Sequence, residues 1–195
     1  METAHAAAQD FIKLVLPFGT TEAEMRQFAE KHGYELVRSD PEDRARQALL
    51  TVTYRHRSLD IYLQYIFNYL IHIATVRCFG ADKLEAVGML NSFFYVVDEG
   101  EIRKRMSSQA PGDRGLAMAY LAEFAPAGFD AKIIDLFDKG ASDADKDVRE
   151  FAFLAMAMAG WGELLPIAQR ALGSEQDDHL RGQLERLVAN LRARL

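Results

Sequence analysis

IYLQYIFNYLIHIATV, residues 61–76, decides how this chain is read. The stretch carries no formal charge, and Asp60 and Arg77 close it on either side. Its 16 residues fall short of the about 20 that a membrane span needs, and Gln64, Asn68 and His72 interrupt it. It therefore reads as a buried helix rather than a membrane span. Ser58 can cap that helix and Gly80 can end it, so the pattern predicts a long central helix over about 59–79. Asp60, Gln64, Asn68 and His72 recur every four residues, which places them on adjacent turns of one helix face. This polar stripe, with Tyr65 beside it, is the first candidate binding surface. Asn68 and His72 are the residues around which a small-ligand pocket would form. Asp60 and His72 would stand about 18 Å apart along a helix, too far for a catalytic pair.

Outward from that stretch the hydrophobic period is helical, and no run alternates convincingly with period two. A first helix is predicted over 3–16, stopped by Pro17 and Gly19. Thr21 and Glu24 have capping-box spacing and open a second, ending at Gly33. Asp40 and Pro41 open a third, with Ala45, Ala48, Leu49 and Val52 as its apolar stripe. Further helices are expected near 82–96, 99–107, 113–125, 128–140, 145–159, 161–172 and 177–194, with glycines and prolines at the breaks.

The second half repeats. Lys83, Arg114, Arg149 and Arg181 are each followed by apolar residues at three, six and seven positions, and the anchors lie 31, 35 and 32 residues apart. DADKDVREFAFLAMAMAG, residues 143–160, is the clearest unit. Over about 82–195 this pattern resembles the HEAT-repeat family. The resemblance implies an α-solenoid in which Arg149 and Asp147 join a ladder of contacts between repeats. The expected fold is therefore all-α: a single domain over 1–195. Residues 1–80 would form an N-terminal helical cap or bundle, and 82–195 a short HEAT-like solenoid (an α-α superhelix). A helix over about 177–194, with Leu180, Leu184, Leu187, Val188 and Leu191 inward, would close the array.

Composition narrows the chemistry. The chain has 195 residues, 49% hydrophobic, a net charge of −6 and one cysteine, Cys78. One cysteine excludes an internal disulfide framework and a cysteine-based zinc site. With no basic n-region in METAHAAAQDFIK, the expected location is cytoplasmic. Asp143, Asp145 and Asp147 start like a calcium loop, but Val148 and Leu154 stand where a turn glycine and a bidentate acid belong. No catalytic, cofactor-binding or metal-ligating set is found, and no cofactor is expected. Arg55 and Arg57 form one basic cluster, and Arg103 and Arg105 form another. The second joins the candidate surface of Asp60, Gln64, Asn68, His72 and Tyr65. Phe93, Phe94, Tyr95, Val96 and Val97 are too many for one helix face to hide, so self-association through them competes with burial in a core.

The leading expectation is a non-enzymatic protein-protein interaction module, an adaptor or an inhibitor or immunity-type binder, whose partner is another protein, basic if charge guides the encounter. One alternative is a helical small-ligand binder around Asn68 and His72. The other is a HEAT-like nucleic-acid binder or DNA-repair protein, disfavoured by the net charge.

Overall fold

The computed structural model describes residues 10–194. It comprises two compact units, which meet in sequence between Val97 and Asp98.

The first unit overturns the expectation of an all-α, HEAT-like solenoid with an N-terminal helical cap or bundle, because its described residues build a five-stranded antiparallel sheet. Its elements are β1 (Ile12–Val15), α1 (Glu22–Lys31), β2 (Tyr34–Asp40), β3 (Leu50–His56), β4 (Tyr62–Asn68), β5 (Ile73–Phe79) and α2 (Lys83–Phe93). The strands form one antiparallel sheet in the order β1-β5-β4-β3-β2. The central helix over 59–79 is therefore a hairpin of two strands. The helix expected from Asp40 is a 3-10 turn at Arg44–Arg46 leading into β3. Within the described part of the helix expected over 3–16, residues 12–15 are β1, and residues 3–9 lie outside the described residues.

Strand formation here follows from side-chain type. Thr51, Val52, Thr53 and Tyr54 are β-branched or aromatic, which suits a pleated surface better than a helix. Val52 pairs with Tyr65 and Tyr65 with Val76, while Tyr54 pairs with Leu63 and Leu63 with Cys78. These rows are nearly solvent-free, and they pack with Met25, Phe28 and Ala29 of α1 and Ala86 and Leu90 of α2. One sheet face is thus the core of the unit. Helix α1 carries the capping box: Thr21 Oγ1 accepts from Glu24 N at 3.2 Å, and Thr21 N donates to Glu24 Oε2 at 2.8 Å.

The hairpin turns explain why the strands hide in the sequence. No glycine or proline separates β4 from β5. Instead the Asn68 Oδ1 accepts from Leu70 N at 3.1 Å, and His72 takes the left-handed conformation at φ 54. Between β3 and β4 the His56 Nδ1 accepts from Ser58 N and Leu59 N, at 3.2 and 3.0 Å.

The second unit is helical: α3 (Glu99–Met106), α4 (Pro111–Phe124), α5 (Ile134–Ala141), α6 (Lys146–Ala159), α7 (Leu165–Ser174) and α8 (Asp178–Arg192). Helices α3–α4, α5–α6 and α7–α8 pack as pairs, and α4, α6 and α8 pack in succession. Close approach depends on small residues. A Cβ on Gly140 of α5 would stand 2.3 Å from Met118 Sδ of α4 and 2.9 Å from Ala152 Cβ of α6. Asp98, Asp145 and Asp177 cap α3, α6 and α8 with their side chains.

Two arginines brace successive pairs in the same way. Arg114 Nη1 donates to the carbonyls of Ser108 and Gln109, both at 3.0 Å, while Nε and Nη2 grip Asp143 at 2.7 and 2.9 Å. Arg149 Nη1 donates to the carbonyls of Asp143 and Ala144, at 3.0 and 3.1 Å, and its Nε and Nη2 grip Glu175 at 2.8 and 3.1 Å. The acid facing Arg149 is therefore Glu175; Asp147 is exposed. Arg181, at the equivalent place in the repeat of anchors, is half exposed and lies 3.9 Å from Glu185. No helix among the described residues is long and apolar enough to cross a membrane.

Candidate functional site

The polar stripe of residues 60, 64, 68 and 72 does not exist as one face. Asp60 sits in the turn before β4, where its Oδ2 accepts from Ala81 N at 3.0 Å and its N–H donates to Asp82 Oδ2 at 2.9 Å. Gln64 lies on the sheet face opposite the core. Asn68 is buried and spends its carbonyl on the turn. His72 and Tyr65 line a different cavity, on the core side of the sheet. A strand with period two places Gln64 and Tyr65 on opposite faces of the sheet. The structure thus brings Asp60 to Gln64, and Tyr65 to His72, and keeps the two pairs on opposite faces.

Arg103 and Arg105 are structural. Arg103 Nε lies 2.7 Å from Glu99 Oε1, and its Nη1 lies 2.9 Å from Asp135 Oδ2. Arg105 Nε lies 2.7 Å from Glu101 Oε1, too bent for a hydrogen bond, and its Nη1 lies 3.2 Å from Asp113 Oδ1. Hydrogen bonds from Arg103 hold the Asp135 carboxyl below its usual range. These cations are already neutralised within the unit. In the run 93–97, Phe93 and Phe94 pack on Phe28 at 5.4 and 5.7 Å between centroids, Val97 is buried, and Tyr95 is 68% exposed.

Sequence reasoning missed the open sheet face. Its Val15–Thr75 end is buried, but its other end carries a row of aromatics on adjoining strands. Phe11 precedes β1, Phe79 ends β5, and Tyr62 starts β4 directly opposite Phe79. The Phe11 and Phe79 rings stand 5.4 Å apart. Phe11 is 41% exposed and Tyr62 37%. Arginines stack on both ends of this row: Arg77 over Phe11 at 5.1 Å, and Arg55 over Tyr62 at 5.6 Å. Among the described residues neither arginine pairs with a carboxylate, and the Arg77 Nε is buried without a hydrogen-bond partner. Next to the row, a cavity of about 610 Å³ is lined by Tyr62, Gln64, Phe79, Asp60, Thr53 and Lys83 among others. Lys83 reaches Asp10 at its rim.

Groups able to do covalent chemistry are placed elsewhere. Cys78 faces the core, where burial pushes its thiol up to about 12, so the reactive thiolate is scarce near neutrality. Asp143 and Asp145 serve Arg114 and the cap of α6. Among the described residues no three His, Cys, Asp or Glu side chains converge as a metal site.

No family model matches the chain, and neither do any curated protein or solved structure.

Proposed function

We propose that the chain is a non-catalytic protein-binding module, an adaptor or an inhibitor-type binder, that engages its partner on the open end of the sheet. The observation carrying this reading is the row Phe11–Phe79–Tyr62 with Arg77 and Arg55 stacked on it. Strands β4 and β5 hold the Tyr62 and Phe79 rings and Phe11 directly precedes β1, so little side-chain entropy remains to be lost on binding. Aromatic and arginine side chains dominate the energetics of protein interfaces. Arginines without carboxylates suit an acidic segment of a partner, even though the whole chain carries −6. This reverses the sign of partner that net charge alone suggests. A cytoplasmic setting accords with a single, buried, reduced thiol.

The same rings and cations suit unpaired nucleic-acid bases, which the test must separate. Affinity capture with the intact chain is compared with capture by a Tyr62→Ala/Arg77→Gln variant whose circular dichroism matches wild type. The proposal expects a specific protein partner, retained by the wild type and weakened at least about ten-fold by the variant. Equal recovery by both proteins contradicts it. So does salt-steep binding of single-stranded oligothymidylate that the variant loses in place of any protein.

A further inference from the structure

On the core side of the sheet, a cavity of about 380 Å³ opens between the segment leading into α1 and the β4–β5 turn. Its walls include Phe18, Leu50, Tyr65, Phe67, His72 and Glu22. It shares no lining residue with the open sheet face. Volumes of this order accept small molecules.

The polarity of the lining selects the ligand. Among the described residues the lining holds the rings of Phe18, Tyr65, Phe67 and His72, one carboxylate, that of Glu22, and no lysine or arginine. Aromatic faces attract cations, most strongly where water is excluded. The N-terminus of α1 borders the cavity and by itself would favour an anion. That end is already compensated: the Glu24 carboxylate accepts from Thr21 N and Oγ1 at 2.8 and 2.9 Å, and Glu22 adds a second negative charge. Arg26 pairs with Glu22 at 2.8 Å, but its side chain is 60% exposed and well screened by solvent. Burial, with the charges of Glu22 and Glu24, raises the Tyr65 hydroxyl pKa, so a negative field reaches the cavity wall. Tyr65 donates to the Thr20 carbonyl at 3.1 Å, which fixes its ring. The His72 ring lies edge-on to Phe67, at 6.1 Å, on a backbone held at φ 54. A non-glycine residue resists that conformation, and here it sets the imidazole at the cavity rim.

We propose that this cavity binds a small organic cation, its ammonium toward Glu22 and its apolar body among Phe18, Tyr65 and Phe67.

Isothermal titration of the intact chain tests this with three probes of similar size: benzyltrimethylammonium, benzyl alcohol and phenylacetate. Saturable one-to-one binding of the ammonium is expected, at least about ten-fold tighter than either of the others. Glu22→Gln should weaken it about ten-fold, and Leu50→Trp, which fills the cavity, should abolish it. Should Leu50→Trp fail to fold, Phe18→Ala removes a ring that is 58% exposed and should weaken binding several-fold. Absence of saturable ammonium binding at millimolar concentration overturns the proposal. Equal or tighter phenylacetate binding does so too, as does ammonium binding indifferent to both Glu22→Gln and Phe18→Ala. Tyr62→Ala on the other sheet face should leave the titration unchanged, so this proposal and the protein-binding reading fail separately.

Discussion

Glu175→Ala is expected to lower the unfolding free energy by about 2–4 kcal/mol, read from urea denaturation at pH 7. The Glu175 side chain is only 3% exposed, and it receives Arg149 Nε and Nη2 together with the N–H groups of Gln176 and Asp177. Removing it strands a largely buried guanidinium and two backbone donors at the start of α8. The figure is set below that for a fully buried pair because Arg149 remains 20% exposed. Arg149→Met/Glu175→Leu should cost less than the two single changes summed, since no charge is then left unpaired. The effect also carries a pH signature. Hydrogen bonds from Arg114 and Arg149 hold the Asp143 and Glu175 carboxyls below their usual range. Their contribution is complete above the unfolded pKa of about 4 and is lost as pH falls through the lower folded values. The gap between wild type and Glu175→Ala should therefore be full at neutral pH and shrink in acid.

Gly80→Ala is expected to cost about 3 kcal/mol or more, or to prevent folding of the sheet unit. Gly80 sits at φ +100, where an L side chain is strained. An added Cβ would meet Asp60 O at 1.9 Å and Asp60 C at 2.7 Å. Both atoms are backbone, so no rotamer change relieves the clash. The same crossing carries the bonds from Ala81 N to Asp60 Oδ2 and from Asp60 N to Asp82 Oδ2, and it places the lip of the open sheet face. Thermal denaturation of the soluble fraction measures the loss; a midpoint equal to wild type would show that the crossing can relax.

Most helices after residue 82 were legible because their ends are written in local chemistry, but the helix expected over 128–140 begins only at Ile134 and that expected over 161–172 only at Leu165. Asp98, Asp145 and Asp177 cap with their side chains, and Gly160 ends α6 in the left-handed conformation. The strands were not legible, for two physical reasons. In residues 62–68 Leu63, Tyr65 and Phe67 point toward the core, while Tyr62 and Ile66 share the opposite face with Gln64 and Asn68, so the period-two signal is weakened. The turn that divides the hairpin uses Asn68 and His72 where glycine would have announced it. A spacing of four, as from Gln64 to Asn68, keeps side chains on one face of a strand as well as of a helix. One signal was present: Thr51, Val52, Thr53, Tyr54 and Arg55 alternate in the manner of a half-buried strand. The candidate site was less legible still. Phe11, Tyr62 and Phe79 become neighbours only through the antiparallel register of β1, β5 and β4, which local spacing does not encode.

Hydroxyl-radical footprinting of the intact chain with its captured partner tests the open sheet face most directly. Phe11, Tyr62 and Phe79 should lose reactivity in the complex, while Tyr95, exposed elsewhere, keeps its rate. Unchanged rates at those three rings, with protection confined to the helices of residues 99–192, would contradict the account.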